Sequence, residues 1–126
     1  MKSGIQQLII KAERSLDAAR ALFDRGDYDF ASSRAYFSTF YMAAACHLSA
    51  GRSYSQHSGV ISGFNQHFVK TGIITPASFR ILRNAFNYRN IGDYEILASL
   101  SHGPVEKLIR DAEYFLEETR RHLTSC

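Results

Sequence analysis

Apolar side chains recur every three or four residues along most of the chain, which is the spacing of one face of an α-helix. The first such run predicts a helix over Ser3–Asp24, and Gly26 suits the left-handed position that ends many helices. A second helix is predicted to start at Asp27 or Asp29, either of which can cap it, and to reach about Ala50. The first part of the chain is therefore predicted to form two long helices.

The second predicted helix is apolar on most of its sides. One stripe holds Phe30, Phe37 and Tyr41, and the other holds Tyr36 and Phe40. Such a helix either lies at the centre of a bundle or is covered on one side by a partner chain. We expect the aromatic residues of these stripes to belong to the core and not to serve as stacking platforms.

Further helices follow after a polar loop. A shorter third helix carries the apolar residues between Val60 and Val69, and Gly72 ends it. The pair Thr75-Pro76 is a start signal for a fourth helix, because a capping hydroxyl precedes a proline at the first helical position. This helix is predicted to run to about Arg89.

The last part of the chain is less regular before it becomes helical again. Residues 90–94 interrupt the helical pattern, residues 95–100 are predicted as a short helical turn or a loop, and the last helix starts within residues 101–104. No segment reads as a strand. The predicted fold class is therefore all-α, an antiparallel up-and-down bundle of four to five helices, with residues 1–126 forming a single domain.

The amino-acid composition excludes only a few classes of function. The 126 residues are 45% hydrophobic, which is enough for a core without metals or disulfides. The formal net charge of +3 permits RNA or an acidic protein as a partner but does not require one. Neither Cys46 nor Cys126 has disulfide or zinc spacing, and the histidines show no metal-binding pairs. With no signal peptide or membrane span in the sequence, we expect a cytoplasmic protein without a cofactor.

Two arginines share the helical phase of apolar residues. Arg34 follows Phe30 by four residues, and Arg89 follows Phe86 by three residues. Since burying an unpaired guanidinium is costly, each arginine needs an acidic partner, a polar cavity or a subunit interface.

Several explanations fit these two arginines. Asp27, Asp29 or Asp93 could form a buried ion pair that locks two helices, or an arginine could extend from a helix end into solvent. The competing hypothesis is a polar cleft that binds phosphate, because the planar guanidinium of Arg34 or Arg89 can bind two phosphate oxygens at once.

Six short segments, taken in order, match a known family. They are Gly26-Asp27-Tyr28-Asp29, Ser33-Arg34-Ala35-Tyr36-Phe37, Gln56-His57-Ser58-Gly59-Val60-Ile61, Phe68-Val69-Lys70-Thr71-Gly72, Arg89-Asn90-Ile91-Gly92-Asp93-Tyr94 and Ala112-Glu113-Tyr114-Phe115-Leu116. Through this ordered set the chain resembles the HEPN superfamily, and within it the small stand-alone bacterial and archaeal proteins. The resemblance implies a helical bundle that forms a homodimer. It also implies pairing with a small nucleotidyltransferase in a toxin–antitoxin module.

The resemblance also implies where a catalytic site would lie. In active members an arginine, followed after four to six residues by a histidine, forms a metal-independent ribonuclease site at the dimer interface. Arg89, followed by Asn90, takes the arginine position here, but the histidine position falls on Tyr94. A tyrosine, with a pKa near ~10, is a poor base at neutral pH, and Asp93 is a candidate substitute.

We therefore expect at most weak ribonuclease activity, with Arg89, Asp93 and Tyr94 as the candidate catalytic residues. Because partner enzymes in the family can nucleotidylate a tyrosine beside the motif, Tyr94 is also a hypothetical modification site.

A second match to the spacing joins Arg52 to His57 in the loop before the third helix. This spacing arises easily by chance, and His57 could simply be a polar residue that starts a helix. It could also fold back toward Arg34 and Arg89. Arg34, His57 and Asn90 are therefore the candidate ligand-binding residues.

Three functions remain open from the sequence. The first is a dimeric HEPN protein that pairs with a nucleotidyltransferase and binds nucleotide or RNA. The second is a metal-independent ribonuclease toxin, and the third is a helical adaptor without catalysis.

Overall fold

The chain folds into α-helices joined by short connections. The computed structural model describes residues 3–94 and 100–125, of which residues 92–94 are described by their backbone alone. The helices are α1 (Ser3–Asp24), α2 (Tyr28–Ser49), α3 (His57–Phe64), α4 (Pro76–Tyr94) and α5 (His102–Thr124), and a π-helical segment, Asn65–Val69, continues α3. The predicted all-α bundle is confirmed. No helix within the described ranges is both long and apolar enough to cross a lipid bilayer.

The connection between α1 and α2 shows how the first two helices end and begin. Gly26 has a φ of 85°, which confirms the predicted left-handed position. Asp27 stands at the N-cap of α2, but its carboxylate makes no capping hydrogen bond and instead pairs with Arg25 at 2.9 Å. The carboxylate of Asp29 accepts a hydrogen bond from the backbone N–H of Phe30 at 2.9 Å. Of the two predicted caps, only Asp29 therefore binds a backbone amide of the first turn.

Helix α2 lies at the centre of the bundle and packs against α1, α3, α4 and α5. Small residues spread along it, including Ala31, Ala35 and Ala43, are completely buried, which lets neighbouring helices approach closely. The central position of α2 is confirmed for the stripe that contains Tyr36. The stripe of Phe30, Phe37 and Tyr41 is only partly covered, with 60% of the Phe30 surface exposed, so cover by a partner chain on that side stays a prediction.

Helix α4 is longer than the sequence pattern predicts. The expected end at Arg89 and the interruption over residues 90–94 are wrong, because α4 continues to Tyr94. A single glycine, Gly92, costs about 1 kcal/mol relative to alanine, which does not stop a helix that is already formed. Arg89 consequently lies inside α4 and not at its end. In the segment predicted as a turn or loop, residues 95–99 lie outside the described residues.

The start of α4 is held by a side chain from α5. The Glu118 carboxylate accepts hydrogen bonds from the Thr75 backbone N–H at 3.1 Å, from the Thr75 hydroxyl at 2.9 Å, and from the Ser78 hydroxyl. The predicted start at Thr75-Pro76 is confirmed, and the carboxylate sits where the helix dipole favours negative charge. One side chain thus caps α4 and joins it to α5.

Replacing this carboxylate should weaken the bundle. Glu118→Ala should lower the free energy of unfolding by about 1–3 kcal/mol, because the buried Ser78 hydroxyl and the Thr75 amide lose their charged acceptor. Glu117→Ala is the matched control, since it removes only an exposed ion pair with Arg121 and should cost less than about 1 kcal/mol. Urea unfolding of both variants tests this, and equal losses would contradict the capping role.

Candidate functional site

Two arginines from different helices share one aromatic ring. The guanidinium carbon of Arg34, on α2, lies 4.7 Å from the centroid of the Phe37 ring. That of Arg89, on α4, lies 5.4 Å from the same centroid and 6.0 Å from the centroid of Tyr36. Each such contact contributes about 0.5–2 kcal/mol. Both arginines are half-buried, as their helical phase predicts, and both contact the same ring.

The surroundings of Arg34 exclude one of the predicted explanations. Asp27 pairs with Arg25, and Asp29 binds a backbone amide of its own helix. Among the described residues no carboxylate lies within 4.0 Å of the Arg34 guanidinium. A buried pair between Arg34 and either aspartate is therefore not what holds this arginine. The side chain of Asp93 lies outside the described residues.

His57 folds back onto α2, near Arg89. It is the first residue of α3, and its ring stacks on Phe40 with 4.2 Å between the ring centroids. Its Nδ1 lies 2.8 Å from the hydroxyl oxygen of Tyr36, so the two groups share a hydrogen bond. Arg89 is close enough for its charge to lower the pKa of His57. The loop therefore does bring His57 to the side of Arg89.

Burial sets the protonation of the hydrogen-bonded pair. The pKa of His57 lies below its ordinary value of 6.5, first because the ring is partly buried and second because Arg89 repels a proton. Burial raises the pKa of Tyr36 well above its ordinary value of 10.0, although the charge of Arg89 acts in the opposite direction. At neutral pH both side chains are uncharged. If the Tyr36 hydroxyl donates to Nδ1, the Nε2 of His57 carries a proton and can donate it to a ligand; if Nδ1 carries the proton and donates to the Tyr36 oxygen, Nε2 is free to act as a base.

The structure describes the side chain of only one of the three remaining predicted site residues. Asn90 is half-buried, and its side-chain oxygen accepts a hydrogen bond of 3.4 Å from Arg89. The side chains of Asp93 and Tyr94 lie outside the described residues, so their candidate roles stay predictions. Only their backbone is described, as the last turn of α4.

The Arg52–His57 spacing does not correspond to a joint site. The Arg52 guanidinium lies over the ring of Phe68, at 5.4 Å from its centroid, whereas His57 packs on Phe40. The charge of Arg89, from the other half of the chain, instead acts on His57. The interpretation of the Arg52–His57 spacing as a chance match therefore agrees with the fold, as does the expected fold-back of His57 toward Arg89.

Tyr36 and Phe37 are the two site residues that the sequence interpretation missed. Tyr36 is fully buried, as a core residue should be, but its hydroxyl needs a partner and finds it in His57. Phe37 is half-buried and packs against the core while its ring contacts both arginines. The available hint was a tyrosine within an apolar stripe, because a buried hydroxyl requires a polar neighbour.

No cluster of three or more histidine, cysteine, aspartate or glutamate side chains that could hold a metal ion occurs in the described part of the chain. The chemistry that the described site can offer is that of two guanidinium groups, a neutral imidazole and a protonated phenol.

Comparison with known proteins agrees with this architecture. The family model of the HEPN domain matches residues 5–122. The chain belongs to the HEPN domain family. It is 36% identical, over 98% of its length and 84% of the relative's, to a protein of Methanocaldococcus jannaschii named "Putative toxin". A second protein of that organism with the same name is 33% identical over 98% of this chain and 91% of its own.

A bacterial relative extends the family beyond archaea. It is a UPF0332 protein of Thermotoga maritima, 36% identical over 85% of this chain and 81% of its own. The HEPN match spans all five helices, so the site described above lies entirely within the HEPN domain.

The depressed pKa of His57 predicts how stability depends on pH. Between that pKa and 6.5 the unfolded chain binds a proton that the folded protein does not, so the free energy of unfolding falls as the pH drops below about 6.5. His57→Gln should reduce this loss, and burial of His47, which also lowers its pKa, should supply part of the remainder. Urea unfolding at about pH 7.5 and about pH 5.5 measures it. A variant with the same pH dependence as the wild type would contradict the assignment.

Proposed function

We propose that this HEPN protein is the toxin-like component of a two-component module and binds RNA or nucleotide through Arg34 and Arg89. The observation that carries the proposal is the placement of both guanidinium groups against the Phe37 ring. A guanidinium binds phosphate oxygens through parallel hydrogen bonds. Phe37 was expected to be a core residue only, but its ring is half-buried, so its exposed part offers a surface for a base. Nucleic acid and nucleotides provide both chemical groups.

The surroundings of Arg34 support an anionic ligand at this place. Arg34 is half-buried and has no carboxylate within 4.0 Å among the described residues, so a bound phosphate would supply its counter-charge. Asn90, which contacts Arg89, is placed to orient that guanidinium or to bind the ligand itself.

The proposed partners rest on the family. Two relatives carry the name "Putative toxin", which supports a module in which this protein meets a second component. The HEPN resemblance points to a nucleotidyltransferase as that component and to a homodimer as the working form. We further propose that the protein acts in the cytoplasm and that residues 1–126 work as one domain.

A metal-independent ribonuclease is the second candidate, and the position of His57 beside Arg89 favours it. In this reaction the neutral imidazole takes the proton of a ribose 2′-hydroxyl, and that oxygen attacks the adjacent phosphorus. The bond from phosphorus to the 5′-oxygen breaks, and this oxygen leaves with a proton from water. Arg89 would stabilise the negative charge on the phosphoryl oxygens. Asp93 and Tyr94 remain candidates for the same proton transfers.

Removing either arginine should weaken RNA binding. Arg34→Ala and Arg89→Ala should each lower the affinity for a single-stranded RNA about tenfold or more, since a charge-assisted hydrogen bond contributes about 1.5–3 kcal/mol. Fluorescence anisotropy measures the affinity. Arg110→Ala is the matched control, because it removes an exposed arginine of α5 that lines no part of the site.

Thermal unfolding of the same variants separates a binding role from a structural one. If Arg89 serves binding, Arg89→Ala should change the melting temperature little. A strongly lowered melting temperature, with unchanged RNA affinity of the folded fraction, would show that Arg89 is only part of a structural pair.

Ribonuclease activity has its own test. The reaction above would continue in the presence of EDTA, leave a 2′,3′-cyclic phosphate and a 5′-hydroxyl, and be lost in His57→Ala. Tyr36→Phe keeps the ring but removes the hydrogen bond to His57, so it should reduce the rate less than His57→Ala does. Full cleavage by His57→Ala, together with loss in Tyr94→Phe, would assign the proton transfer to α4 instead.

A further inference from the structure

A shallow groove of basic character runs beside the candidate site, between α1 and α2. Its volume is about 200 Å³, and the residues that line it are Lys11, Arg14, Ser15, Ala18, Arg34 and Tyr41. Three of these side chains are positively charged and none is acidic. Arg34 belongs both to this groove and to the pair of arginines at Phe37, so the two features are continuous.

Two of the three cations of the groove lie over aromatic rings. The Lys11 ammonium lies 4.9 Å from the centroid of the Tyr41 ring, just as Arg34 lies over Phe37. Within the described ranges, none of Lys11, Arg14 and Arg34 has a carboxylate within 4.0 Å. Their charges are therefore available to a ligand.

In another part of α1 the charged surface side chains form ion pairs. Arg20 pairs with Asp17 of its own helix at 2.8 Å and with Glu113 of α5 at 3.2 Å, and Glu13 pairs with Arg120 of α5 at 3.2 Å. The cations that face α5 are neutralised, whereas those that line the groove toward α2 are not. The positive potential of α1 is consequently concentrated on one side.

A hydrogen bond between α1 and α2 fixes the two walls of the groove relative to each other. The hydroxyl of Ser15, on α1, donates a hydrogen bond of 2.7 Å to the backbone carbonyl of Arg34, on α2. This bond fixes the backbone that carries Arg34 relative to the helix that carries Lys11 and Arg14. Lys11 and Arg14 are three residues apart on α1, so they are neighbours on its surface.

We propose that this groove carries the phosphate backbone of a single-stranded RNA away from the site formed by Arg34 and Arg89. The inference rests on the proposed function and adds to it the path of the substrate and the two residues, Lys11 and Arg14, that contact it outside the site. Three cations without acidic neighbours match consecutive phosphates, and the half-buried Tyr41 ring offers a face for a base. The protein therefore recognises a strand several nucleotides long and not a lone nucleotide.

The test compares a short and a long oligonucleotide on the full chain. A dinucleotide fills only the Arg34–Arg89 site, whereas an oligouridylate of about ten nucleotides also reaches the groove. The double variant Lys11→Gln/Arg14→Gln should bind the dinucleotide as the wild type does and should bind the decanucleotide at least tenfold more weakly. The slope of log affinity against log salt concentration for the longer strand should fall by about 1.4, since each lost phosphate contact contributes about 0.7.

Arg110→Gln is the control for a general loss of charge, and it should leave both affinities unchanged. Wild-type affinity of the double variant for the decanucleotide would overturn the groove assignment but leave the proposed function standing. Failure of the wild type to bind either RNA would overturn both. If the double variant keeps its RNA affinity but loses self-association in analytical ultracentrifugation, the groove is an interface between copies of the chain and the proposal is wrong.

Discussion

Burial of most of α2 beneath α1, α3, α4 and α5 is the constraint on which the rest of the structure depends. Its completely buried alanines allow the neighbouring helices to pack close to its backbone. The same burial places Tyr36 in the core, where its hydroxyl must find a hydrogen-bond partner, and His57 at the start of α3 provides it. The candidate site is thus a direct consequence of how the central helix is covered.

Phe37 lies at the edge of the buried part of α2. Because its ring is only half-buried, it remains accessible to guanidinium groups from α2 and α4. The contacts with the ring lower the cost of partly burying the two guanidinium groups. Phosphate recognition by these groups is the basis of the function that we propose for this HEPN protein. The groove on α1 extends the same positive potential along the surface.

Helical periodicity predicts most of the fold but not the neighbours across helices. The bounds of α1, the left-handed Gly26 and the proline start of α4 follow from local rules, since each depends on residues close in sequence. The end of α4 was predicted too early. The free-energy cost of one glycine inside a helix is smaller than the free energy gained by continuing a helix that is already formed. The inward phase of Arg34 and Arg89 was correctly predicted, since phase is also a local property.

The contacts that make the site could not be predicted in this way. The Tyr36–His57 hydrogen bond, the shared ring of Phe37 and the capping of α4 by Glu118 all join residues that are distant in sequence or belong to different helices. Helix phase states which side of a helix faces inward, but it does not state which helix lies opposite. For the same reason the sequence left open whether His57 folds back toward Arg89 or only starts a helix.

A crystal structure with a bound dinucleotide tests the central claim most directly. A 2′-deoxy substitution at the first sugar would remove the attacking hydroxyl and so prevent cleavage. We expect one phosphate within hydrogen-bond distance of both the Arg34 and the Arg89 guanidinium groups, with a base against the ring of Phe37. A dinucleotide bound elsewhere, with the two arginines unchanged from their positions over Phe37, would contradict it.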